Sequence, residues 1–170
     1  YSRLNIKSID IKLNDLNGVP FSLSEQRGKS VVLYFFRANS EDEEQLAKHR
    51  YFDQLVRKYE SHKNIVFVAI DKTSAYDTDD SIRNKVRLGI LKNYLEKYDL
   101  KFRVLLDDYH YNSKNSGLTY FRVADDYSSD WSSQFYLIDK KGMVRYKSYI
   151  IPGGFKGFSR DFSKSLKIID

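Results

Sequence analysis

Ser40 and Glu43 stand three residues apart in the polar stretch Arg37-Ala-Asn-Ser-Glu-Asp-Glu-Glu44, between an apolar run and the start of a helical pattern. A hydroxyl close to carboxylates invites acyl-transfer chemistry, and Ser132, two residues after Asp130, invites it again. Such a site needs a histidine within reach to take the serine proton. The three histidines form no motif with either serine: His49 and His62 bracket the first helical pattern, and His110 sits in a later loop. Both serines therefore read as polar surface or caps. Asp77, Asp79 and Asp80, or Asp107, Asp108 and His110, could offer oxygen ligands to a hard cation, yet neither spacing matches a calcium-binding loop. Capping and solvation explain them better. The chain has no cysteine, which removes disulfides, thiolate metal sites and thiol redox cycling, and leaves cysteine usage silent about the compartment. No cofactor and no metal are expected.

The elements that would position these residues are legible. Ile9-Asp-Ile-Lys-Leu13 and Phe21-Ser-Leu23 alternate around Asn17-Gly18, predicting an N-terminal hairpin. Val31 to Phe36 is apolar throughout, the pattern of a strand covered on both faces, and we expect it at the centre of the sheet. Phe52, Leu55, Val56 and Tyr59 then mark one face of a helix from Glu43 to about Glu60, with Glu41 to Glu44 at its positive end. Ile65 to Ile70 predicts a second buried strand, and the strand–helix–strand order implies parallel pairing. Val86, Ile90, Leu91, Tyr94, Leu95 and Tyr98 are expected to form the inner side of a second helix, followed by a short strand at Arg103–Leu106. A late hairpin runs through Gln134–Asp139 and Met143–Tyr149, and Phe155, Phe158, Phe162, Leu166 and Ile169 give a closing helix. The tyrosines 109, 111, 120 and 127, with Phe121 and Trp131, either close the core under a long loop or form a binding surface.

With 170 residues, 41% of them apolar, the chain fits one domain with a substantial core. Its apolar runs are strand-length, so no membrane span is predicted. The sequence begins at Tyr1 rather than Met, which suggests processing or trimming; any export signal would have been lost with that segment, so the start of the sequence leaves the location open. The net charge of +6 gathers late: from Lys140 onward there are eight basic residues against Asp161 and Asp170. Without a groove or recognition motif this reads as a solvated face, and nucleic acid is not an expected partner.

Element order and local wording together resemble the thioredoxin-like superfamily, in its TlpA and AhpC/TSA (peroxiredoxin-like) branch. Asn14-Asp-Leu-Asn-Gly18, Phe21-Ser-Leu-Ser24 and Arg27-Gly-Lys29 before the central strand resemble that branch's opening, and Phe135-Tyr-Leu-Ile-Asp-Lys-Lys-Gly142 its late hairpin. The resemblance covers nearly all of residues 1–170. It implies an α/β thioredoxin-like fold: a central mixed β-sheet flanked by helices, with an N-terminal β-hairpin extension.

The same resemblance places Ser40 at the nucleophilic cysteine, Glu43 at the resolving cysteine and Ser133 at the cis-proline. A serine hydroxyl is not ionised near neutrality and does not exchange with disulfides as a low-pKa thiolate does. A trans peptide is expected at Ser133. The copper-binding relatives of this fold carry thiolates that are also missing, and the peroxidatic cysteine of peroxiredoxins falls near Glu44. We therefore expect a redox-inactive protein-interaction or structural module that uses the ancestral groove, around Asn39, Ser40 and Glu43 on one side and Trp131, Ser132 and Ser133 on the other, with a protein as the expected partner. The alternatives are a cysteine-substituted oxidoreductase and an enzyme using non-thiol chemistry in that cleft. Relatives of the TlpA type are usually exported, so an extracytoplasmic location is expected.

Overall fold

A computed structural model describes residues 2–38, 41–75, 80–110, 120–129, 134–149 and 154–169. The apolar run becomes β4 (Ser30–Phe36), in which all seven residues are buried. It pairs in parallel with β5 (Ile65–Asp71) on one side and antiparallel with β9 (Gln134–Ile138) on the other. β9 pairs antiparallel with β10 (Met143–Tyr149), and β5 in parallel with β6 (Val104–Leu106). The outermost strand beyond β10 is β1 (Ser2–Lys7), giving the order β1-β10-β9-β4-β5-β6. The sequence pattern does not reveal β1, because its alternation is broken by a register shift between Arg3 and Ile6 and Ile6 is exposed. The expected N-terminal hairpin is present as β2 (Lys12–Asn14) and β3 (Pro20–Ser22), turning at Gly18 with φ 79°.

Two helical crossovers, α1 (Glu43–Lys58) and α2 (Asp80–Lys97), each carry the chain one strand further in the same direction. Right-handed connections place both on one face of the sheet. The closing helix α4 (Gly154–Ile169) joins them there. Val32, Tyr34 and Phe36 of β4 pack on that face with Phe52 and Leu55 of α1, Leu91 and Tyr94 of α2, and Phe158 and Phe162 of α4. Side chains of this size stabilise the fold by about 1.5–3 kcal/mol each when fully buried. The opposite face of β4, carrying Val31, Leu33 and Phe35, is covered by the hairpin residues Ile11, Leu13, Phe21 and Leu23 and by a short helix, α3 (Arg122–Asp126).

Two expectations need correction. Val86 does not line the inner side of α2 but is exposed, as is Ile82 one turn earlier. The inner stripe is Arg83, Arg87, Leu91 and Tyr94, so its first two turns are cationic rather than apolar. His49 does not flank the first helix; it lies inside α1 and is buried. The loop after β6 contains further pairing, β7 (Tyr109–His110) with β8 (Tyr120–Phe121), and the Tyr109 and Phe121 rings stack at 4.6 Å. Tyr127 is buried and donates to the Ile9 carbonyl, so among the described aromatics of this region it serves the core.

The late hairpin is tied to the N-terminal segment through Ser8 N–H to the Gly142 carbonyl (3.0 Å) and Gly28 N–H to the Lys140 carbonyl (2.9 Å). Gly142 has φ 81°, and a Cβ placed there would lie 2.1 Å from the Arg27 guanidinium carbon. Gly18, at φ 79°, has open space where its Cβ would be. Gly18→Ala should therefore lose about 1 kcal/mol from the left-handed backbone alone. Gly142→Ala should lose more, about 1–2 kcal/mol, because Arg27 must also move; urea unfolding of the two variants measures the difference.

Candidate functional site

β4, β5 and β6 all end at the same edge of the sheet, where the order switches from parallel to antiparallel pairing between β4 and β9. Crevices at such switch points are the usual ligand sites of open α/β sheets. At this edge the chain leaves β4 for the turn that opens α1. Asp42 caps α1, its carboxylate accepting the Glu44 N–H at 2.8 Å, and Glu43, the first residue of the helix, is exposed. Acidic residues here complement the unpaired N–H groups of the helix start. Of the six groove residues expected from sequence, only Glu43 is placed. Asn39, Ser40, Trp131, Ser132 and Ser133 lie outside the described residues, as do Asp77, Asp79 and the peptide bond at which the family's cis-proline would fall.

Beneath the turn lies a buried polar network. The Ala38 N–H donates to Thr73 Oγ1 at 2.7 Å, and Thr73 in turn donates to Asp71 Oδ1 through its hydroxyl and, at 3.0 Å, its N–H. Arg87 of α2 completes it, donating from Nε to Asp71 Oδ2 (2.9 Å), from one terminal nitrogen to the Asp71 carbonyl (2.8 Å) and from the other to the Asp107 carbonyl (2.7 Å). The Arg87 and Asp71 side chains are 5% and 0% exposed. The guanidinium also sits 5.0 Å from the centre of the Phe121 ring. Asp107 accepts the N–H groups of Val123 and Ala124, each at 2.8 Å, anchoring α3. Burial pushes the Asp107 carboxyl up to about 6, against the opposing pull of those two N–H groups and of Arg87.

On the other face of the same edge, Lys72 is buried and donates to Ser129 Oγ at 3.0 Å, immediately before the segment 130–133. Gln134, immediately after it, is 1% exposed; its Oε1 lies 2.8 Å from the Tyr136 hydroxyl, and its Nε2 has no partner. The Tyr136 hydroxyl also contacts the Tyr127 carbonyl. A single phenolic proton cannot serve both acceptors fully, and turning the Gln134 amide over would let it donate to Tyr136 instead. Behind the turn, His49 Nδ1 lies 2.6 Å from the Tyr34 hydroxyl, while Nε2 has no hydrogen-bond partner. Burial holds the His49 imidazole down at about 4, a backbone contact from Arg37 partly opposing and the Lys48 charge adding to the effect. The sequence reading singles out none of Asp71, Thr73 and Arg87, and weighs Asp107 only as a possible cation ligand. The i, i+4 spacing of Arg83 and Arg87, continuing into Leu91, was the available signal.

The model of the AhpC/TSA family matches residues 5–147. Solved structures with the same fold include one described as the thiol:disulfide interchange protein DsbE of Chlorobium tepidum: 17% identity, TM-score 0.67, covering 99% of this chain and 97% of that one. The C-terminal domain of a thiol-disulfide oxidoreductase from Bacteroides thetaiotaomicron is similar at 16% identity and TM-score 0.69, with 99% and 96% covered. An exposed lipoprotein thioredoxin of Streptococcus pneumoniae is similar at 18% identity and TM-score 0.62, with 94% and 99% covered. No curated protein sequence matches the chain. At these identities the likeness to solved structures is one of fold.

Removing Arg87 leaves Asp71 buried without its counter-charge, so Arg87→Met should cost about 3–5 kcal/mol. The double variant Asp71→Asn, Arg87→Met should cost less than the two single variants added together, as read from urea midpoints in a double-mutant cycle. The two shifted groups respond to pH with opposite sign. His49 titrates lower in the fold than in the unfolded chain, so its contribution is complete above about 6.5 and is lost as pH falls towards 4. Asp107 titrates higher in the fold, so its contribution is complete below about 4 and is lost as pH rises through 6. Relative to His49→Gln, the wild-type chain should lose up to roughly 3 kcal/mol between pH 6.5 and 4; relative to Asp107→Asn it should lose stability in the reverse direction.

Proposed function

Because the chain belongs to the AhpC/TSA family yet has no cysteine to exchange with a disulfide, we propose that it is a redox-inactive thioredoxin-like module that binds a protein partner. On this reading residues 1–170 form a single domain. The partner occupies the ancestral groove, contacting Asn39, Ser40 and Glu43 on the α1 side and Trp131, Ser132 and Ser133 on the β9 side. What supports the reading is a family scaffold without cysteine, in which the resemblance sets Ser40, Glu43 and Ser133 at the three redox positions; buried hydrogen bonds through Thr73 and Asp71 tie Ala38, at the entry to the turn, to the end of β5. A large aromatic such as Trp131, beside hydroxyls and a carboxylate, suits a polypeptide with both apolar and polar contacts. No helix of the described residues is long and apolar enough to cross a membrane. The family resemblance, and the exposed lipoprotein among the similar structures, support placing the module outside the cytoplasm.

Affinity capture from the native host tests the groove. Trp131→Ala and Ser40→Arg should each lose a protein that the wild-type chain retains, whereas Lys85→Gln, on the exposed side of α2, should retain it. Equal capture by all four chains would remove the groove from the function.

A further inference from the structure

The exposed face of α4 carries one sign of charge only. Between Gly154 and Lys167, every exposed residue is cationic: Lys156, Arg160, Lys164 and Lys167. Spacings of four, four and three residues keep them within an arc of about 80° and a length of about 16 Å. The single carboxylate on the helix, Asp161, is half-buried and pairs with Arg160 at 3.3 Å. Lys58 at the end of α1 extends the same side, reaching Ser159 at 2.6 Å, with Glu60 and Lys63 exposed just beyond it. Surface helices ordinarily intersperse both signs, as α1 does with Glu44–Lys48 and Asp53–Arg57.

We propose that this ridge docks the protein on an anionic lipid bilayer. The opposite side of α4, Phe158, Phe162 and Leu166, is locked into the core, so the helix has no apolar face to insert and meets the headgroups as a row of charges. Three of the four cations are lysines, compact charges on flexible stems that follow mobile headgroup phosphates; a base-reading surface would instead present planar side chains for bidentate contacts. The ridge runs along one helix packed beside α1 on the helix-covered face of the sheet, so its charges can meet a plane together along the length of the helix. α4 begins at the same edge as the turn before α1, because β10 runs parallel to β4. Each basic residue held near an anionic surface strengthens binding roughly fivefold.

Flotation of the full chain with phosphatidylcholine vesicles, with and without phosphatidylglycerol, tests this. The protein should float only with anionic vesicles and be released by high salt. Lys156→Gln, Lys164→Gln, Lys167→Gln together should weaken binding on the order of a hundredfold. Lys12→Gln, Lys85→Gln, Lys92→Gln, which remove the same charge from other exposed positions, should weaken it less than about tenfold. Equal losses in the two triple variants, binding to neutral vesicles, or binding to duplex DNA or an acidic peptide without binding to anionic vesicles would each overturn the proposal. Loss of the captured protein partner in the groove variants is a separate readout, so the two ideas fail independently.

Discussion

An aspartate with no solvent exposure, held by one arginine, fixes the edge at which β4, β5 and β6 end. Taking Asp71 and Arg87 out of water costs several kcal/mol per ion, and the pair is sustained only because its hydrogen bonds are made. Arg87 spends donors on both the carboxylate and carbonyl of Asp71 and on the carbonyl of Asp107, while Thr73 fills the other carboxylate oxygen. These bonds join the ends of β5 and β6 to α2, and through Thr73 to the backbone of Ala38 at the end of β4. Three strands that would otherwise finish independently are made to finish together. The cationic inner face of α2 follows from this, since arginines can face inward there only because acceptors wait beneath them.

The core itself owes nothing to the chemistry of the redox relatives. Tyr34, Phe36, Phe52 and Phe102 pack with ring centroids 4.5–6.4 Å apart, and β4 is sealed on both faces. A fold held by aromatic burial and strand pairing needs no cysteine, and the sequence has none. Fold and activity therefore separate cleanly here, and function has to be argued from the residues of the edge.

What the sequence discloses follows the same division. β4, β5 and the late hairpin were legible because continuous or alternating apolar residues leave few other assignments, and α4 because Phe158, Phe162 and Leu166 repeat at helical spacing. The inner face of α2 was misread because periodicity arguments weight apolar residues: Val86 drew the face towards itself, while Arg83 and Arg87, being charged, carried no weight in it. β1 was hidden by its register shift, and α3 by its five-residue length. The network around Asp71 joins residues 38, 71, 87, 107 and 123, and no local pattern links positions so far apart. The groove is expected only by resemblance, since nothing in the types of Ser40 or Ser133 marks them without the positions the resemblance gives them, and of its six residues only Glu43 is among those described.

On the proposed reading, a binding surface at this edge gains from the hydrogen bonds that fix the entry to its turn. Ordering a loop on association costs affinity, and a turn whose entry is already hydrogen-bonded to the core loses less freedom when a partner arrives. Ala38 is fixed through Thr73 and Asp71, and α1 begins five residues after Ala38, with Asp42 as its cap. On the proposed reading, substitution at position 43 changes what the edge recognises while the hydrogen bonds at Ala38 and the Asp42 cap stay in place, so the desolvation cost of the Asp71–Arg87 pair is returned as preorganisation rather than as net stability.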